Sequence, residues 1–172
     1  MEELKLPRDL APNDALVVRD IISDAVVEMP SESIFDFVKL LRVERGGTSF
    51  SVRAIPCTFE EEWFDWVSVS VSGEQFACRV LAMMVHGKRT AAKVPRNEGA
   101  YPSVQILVHR HVPHLGRRFD EGGVDLPRVR PDVTAGQRFM WVHTDSVSAP
   151  LWVTKCSTGS GVGVICFWVL DR

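Results

Sequence analysis

Two histidines set two residues apart, in His109-Arg110-His111-Val112-Pro113-His114, are the side chains whose types and spacing most readily suggest chemistry. On a strand, residues i and i+2 share a face, so both imidazoles can reach one metal ion. A third ligand would come from His143, from His114 or from a carboxylate in the loop that follows. In that reading His109, His111 and His143 form the site of a metal-dependent β-barrel enzyme or sensor. The competing reading is a polar, solvent-facing side of a strand that carries titratable histidines. Val104, Ile106, Val108 and Val112 then take the opposite, apolar face.

Other catalytic patterns fall away on inspection. The histidine pair departs from the cupin metal motif: the upstream glycine is missing, and Asp120 and Glu121 come too late. The later glycine-proline-histidine half is also unrecognisable. Gly159-Ser160-Gly161-Val162-Gly163 looks like a phosphate loop but runs into Val164-Ile165-Cys166-Phe167-Trp168-Val169-Leu170, a β pattern without a P-loop lysine. The same glycines have the wrong spacing for a nucleophile elbow. Cys57 lacks an electropositive setting, and Glu60, Glu61 and Glu62 read as a solvated charge run. No catalytic set emerges, so the chain reads as non-enzymatic and free of cofactors.

Binding is the stronger expectation, and it rests on charge. The chain has 172 residues, with 20 Lys and Arg against 22 Asp and Glu. That near-neutrality is a cancellation: residues 1–85 balance at −7 and residues 86–138 at +5. Lys88, Arg89, Lys93 and Arg96 lie in one expected loop, and Arg117, Arg118, Arg128 and Arg130 in the next. If antiparallel pairing brings both loops to one end, they form a patch suited to RNA phosphates or anionic headgroups. Acidic helices could equally dock on the basic loops of a neighbouring copy, giving a homo-oligomer.

The elements that must position these residues are read from periodicity. Asn13 is placed to cap a helix in which Val18, Ile21, Ile22, Ala25 and Val26 recur. A second helix is expected from Ser31 or Ser33, with Ile34, Phe37, Val38 and Leu41 as its stripe and Gly46-Gly47 as its stop. After Gly47 the period becomes two: Phe50, Val52 and Ala54 mark a strand. Thr58 to Asp65 suggests a short acidic helical turn. Residues 66–86 suggest a hairpin turning at Gly73-Glu74, with a central second arm. Further strands are expected over 104–112, 137–143, 151–157 and 162–170, with loops at 87–102 and 113–136.

The expectation is a mainly β (α+β) single domain over residues 1–172. A helical segment, 1–46, would pack on an antiparallel β core, 47–172, built as a sandwich or barrel of about six strands. Hydrophobic content of 45%, with five Trp and nine Phe, suffices for a core. No secretory signal or membrane-length apolar run is visible, so a cytoplasmic or nuclear location is expected, or a virion if the protein is viral. Buried free thiols are expected at Cys57, Cys78, Cys156 and Cys166, the last two also able to face each other across a hairpin. The profile is of the type of a small viral matrix or coat protein: β-rich, tryptophan-rich and self-assembling. Its acidic N-terminus lacks a basic RNA-binding arm, which favours the matrix-like form.

Overall fold

The computed structural model describes residues 4–30, 33–56, 61–88, 103–114, 128–134, 136–155 and 167–170. The chain opens with one α-helix, α1 (Pro12–Val27). Ala11 precedes it in an extended conformation, and Pro12 fills the first turn, where its missing N–H costs nothing. Asn13 therefore lies inside the helix and does not cap it. The expected stripe holds: Val18 is fully buried, with Ile21 and Ile22 packed beside it.

The expected second helix is absent. Its residues form two strands, β1 (Ser33–Phe37) and β2 (Leu40–Arg45), and β2 pairs with β3 (Thr48–Ile55). Helical spacing in Ile34, Phe37, Val38 and Leu41 concealed an alternation in which Leu41 and Val43 turn inward while Leu40, Arg42 and Glu44 face solvent. Gly46-Gly47 stops no helix. With φ of 53° and 82°, it is the two-residue turn of a hairpin closed by Arg45 opposite Thr48. The N-terminal region is thus one helix followed by strands.

The expected acidic turn instead contains β4 (Trp63–Phe64), which completes a small sheet in the order β2-β3-β4. The hairpin over 66–86 is present as β5 (Trp66–Val71) and β6 (Glu74–Lys88), turning at Ser72-Gly73. β7 (Ser103–Pro113) pairs along β6, which makes β6 central as expected. The stretch expected to be an exposed loop holds β8 (Arg128–Pro131), paired to the end of β7. Then come β9 (Phe139–His143), a single 3-10 turn (Thr144–Ser146), β10 (Val147–Lys155) and β11 (Phe167–Leu170).

Eight of these strands form one antiparallel sheet, in the order β1-β6-β5-β10-β11-β8-β7-β9, with β6 also paired to β7. Eleven strands stand among the described residues where about six were expected. Among the described residues β8 meets β11 at two residue pairs, and no closed barrel is formed. The strands bury two apolar clusters. Val67, Val69, Val80, Met83, Ile106 and Val108 face the small sheet's Val43, Val52, Ala54 and Phe64. Leu81, Ala82 and Leu107 face Val18 of α1. A register shift between Val80 and Ala82 makes Leu81 an extra residue, so Leu81 and Ala82 both join the helix side.

Arg45 ties the sheets together, donating from Nε to the Val147 carbonyl at 2.9 Å and from Nη2 to the Thr144 carbonyl. No helix among the described residues is long and apolar enough to cross a membrane.

Candidate functional site: a buried histidine row under the N-terminal helix

Register aligns a row of unusual side chains on the helix-facing side of the large sheet. Trp66 of β5 lies opposite Arg79 of β6, Arg79 opposite His109 of β7, and His109 opposite Phe139 of β9. Directly opposed residues project from the same face, so all four point one way. His111 joins them: its ring centroid is 4.5 Å from that of His109 and 4.5 Å from that of Trp66. Phe139 stacks on His109 from the other side at 4.6 Å.

The solvent-facing reading of this strand side is overturned. His109 is only 6% exposed and His111 only 1%. The sequence separated the two faces of β7 correctly, since Ile106 and Val108 lie in the other core. It could not show that the histidine face is covered by the chain's own N-terminus. His111 Nδ1 donates to the His109 carbonyl at 3.0 Å, and Arg138 Nε donates to His109 Nε2 at 3.4 Å. Burial, the neighbouring imidazole and the Arg138 and Arg79 charges push His109 down to about 2. Burial, with those same two guanidiniums, pushes His111 down to about 4, against the opposing effect of its bond to the His109 backbone. Both rings are neutral at pH 7.

The two guanidiniums are in turn held by the N-terminal segment. Arg79 Nη1 donates to Asp9 Oδ1 at 2.7 Å, and Arg138 Nη2 donates to Asp14 Oδ2 at 2.8 Å. The Arg8 backbone N–H also donates to the Glu62 carboxylate, 3.1 Å from Oε2. None of these partners was legible from spacing, because each joins segments far apart in the chain.

Of the candidate metal ligands, the structure brings His109 and His111 together but not His143. That residue lies opposite Gln105, four residues along β7 from His109, or roughly 13 Å at the rise of a strand. Its Nδ1 instead accepts the Asp145 backbone N–H at 3.2 Å, closing the 3-10 turn. Among the described residues, no group of three His, Cys, Asp or Glu side chains is placed to hold a metal ion.

The basic candidates divide. Arg89, Lys93, Arg96, Arg117 and Arg118 lie outside the described residues. Lys88 ends β6 beside the start of β7, whereas Arg128 and Arg130 lie on β8, at the far end of β7. The two basic segments therefore spring from opposite ends of an 11-residue strand, roughly 33 Å apart, and not from one end. Antiparallel connectivity requires this: the chain enters β7 at one end and leaves at the other. Of the thiols, Cys78 is buried and free, with burial pushing it up to about 12 against the lowering effect of Arg110. Cys57, Cys156 and Cys166, and with them the possible hairpin pair, lie outside the described residues.

Two further surfaces escaped the sequence reading. Trp63 is half exposed, fixed by a 2.6 Å bond from Nε1 to Asp65 and by the Arg53 guanidinium 4.0 Å above its ring. On α1, Leu16, Val17 and Val27 are 63%, 47% and 81% exposed. The hydrophobic count of the helix signalled this, since its apolar residues exceed one face. The chain matches no protein-family model, no curated protein and no solved structure.

Proposed function

We propose that the chain is a structural or binding protein that associates with further copies of itself. The observation that supports this most is the outward face of α1. Leu16 and Val17 stand there in solvent, and Val27 does so three turns on along Leu16's side of the helix, with Asp20 and Asp24 between them. Apolar side chains set among charges on the outward side of a helix offer a surface that a partner helix or sheet can cover. The complementary chemistry is basic, and the chain supplies it in residues 86–138. Docking of α1 on the β8 end of another copy, near Arg128 and Arg130, would be head-to-tail and able to propagate.

Such a protein would fill a matrix-like or coat-like role. Lys88, Arg89, Lys93 and Arg96 on one side, and Arg117, Arg118, Arg128 and Arg130 on the other, would be its contacts to RNA or to an anionic membrane. Sedimentation velocity of the wild type beside a Leu16→Glu/Val27→Glu variant tests the proposal. The expected result is a concentration-dependent assembly for the wild type and a monomer for the variant, at equal helical content. A wild type that sediments as a monomer throughout would rule the proposal out.

A further inference from the structure

The histidine row lies where two arginines of the sheet side fasten the N-terminal segment. Among the described residues its polar ties include Asp9 to Arg79, Asp14 to Arg138, and the Arg8 N–H to Glu62. Apolar contacts of Leu4, Leu6, Leu10, Val18, Ile21 and Ile22 with Leu81, Leu107 and Trp141 complete the attachment. The first two of these run through guanidiniums that also act on the imidazoles.

We propose that the segment Leu4–Val27 is an acid-sensitive strap, released from the sheet when His109 and His111 take up protons while the β core stays folded. This proposal is independent of self-association. His109 Nε2 accepts from Arg138 Nε, and a proton placed there turns the acceptor into a donor facing a cation. The same guanidinium holds Asp14, so moving it away from a charged imidazole pulls on the α1 tie. A proton on His111 adds charge beside Arg79, whose Nε is buried without a hydrogen-bond partner among the described residues.

Among the described residues, the charges acting on the pair are Arg79 from β6 and Arg138 just ahead of β9, and those guanidiniums are held by Asp9, ahead of the helix, and Asp14 of α1. Arg19 of α1 instead donates to the Leu4 carbonyl at 3.3 Å. The two carboxylates already serve the two guanidiniums, so two added charges leave the site with a net positive excess. Once the strap lifts, water solvates the imidazoles and the charge is accommodated. The core facing the small sheet lies on the opposite side and loses none of its contacts.

The sign follows from the depressed histidine values. The docked state resists protons that the released state binds, so docking is strongest above the ordinary histidine value of about 6.5 and weakens as pH falls below it. From about pH 7.5 to about pH 5, two imidazoles released to ordinary values should raise strap opening by roughly two orders of magnitude or more.

Hydrogen exchange of the full chain, corrected for intrinsic exchange rates, reads this directly. The expected result is loss of protection over α1 on acidification, with β5 and β6 protected throughout, and no such loss in His109→Gln/His111→Gln. Should that variant not fold, titration of the wild-type imidazole resonances decides: both rings must gain protons in the range where α1 opens. Equal protection of α1 at both pH values, simultaneous loss across α1 and β6, or opening that persists in the folded variant would each overturn the proposal.

Discussion

Arg138, just ahead of β9, holds Asp14 of α1 across 124 residues of sequence at 2.8 Å. Its Nε reaches His109 Nε2 in the same stroke. One side chain therefore couples the helix, the outer strand and the buried imidazole. Asp14→Asn keeps the shape and removes the charge. Because Arg138 is about one-third exposed, solvent limits the loss to about 1 kcal/mol, and urea unfolding should show it as a lower midpoint with an unchanged m-value.

A larger loss is expected at Arg110 and Asp132, which are 9% and 4% exposed. Arg110 Nε donates to Asp132 Oδ2 at 2.7 Å, its Nη2 donates to Gln137, and its guanidinium lies 4.2 Å over Phe76. Asp132→Ala leaves a buried cation without its carboxylate and should cost about 3–5 kcal/mol. Arg110→Met/Asp132→Leu removes both charges and should recover much of that loss, a difference that denaturant titration of the variants resolves.

Stability should fall on the acid side in two stages. The histidines contribute first: their folded values lie below 6.5, so unfolding gains protons as pH drops from 6.5 towards about 4. Asp132 contributes later. Burial pushes its carboxyl up, but the bonds from Thr134 and Arg110 and the Arg110 charge hold it below the usual 3.8. Its contribution is present above that value and is lost as pH falls through the lower folded one. Urea midpoints measured from neutrality downward should be flat near pH 7, decline below about 6.5, and drop again near the acid limit.

Cys78 should be inert while the protein is folded. Its thiol is fully buried and burial raises it to about 12, so the reactive thiolate is scarce at neutral pH. In a variant keeping only this cysteine, a thiol reagent should label it at the rate of opening of the β5–β6–β7 core. Prompt labelling under native conditions would contradict the packing described.

The sequence made some elements legible because one period prevailed. Strict alternation from Val67 to Val71 exposed β5, and the apolar run after Gln75 exposed β6 as a central strand. Between Ile34 and Leu41 two periods coincide, and the helical spacing masks the Gly-Gly turn that sets the β2–β3 hairpin. β8 was hidden because Val129 is its only buried residue, amid prolines and arginines. The histidine pair was found from its spacing. Its burial was not, since that depends on Asp9 and Asp14 reaching Arg79 and Arg138, contacts that no local pattern encodes.

Self-association through an apolar, acidic helix face and a basic surface would depend on salt. Light scattering against protein concentration, at low and at high ionic strength, gives the mass in each condition. The expected mass is above the 19.3 kDa of one chain at low salt and falls as charge is screened. A mass of 19.3 kDa at every concentration and salt would contradict it.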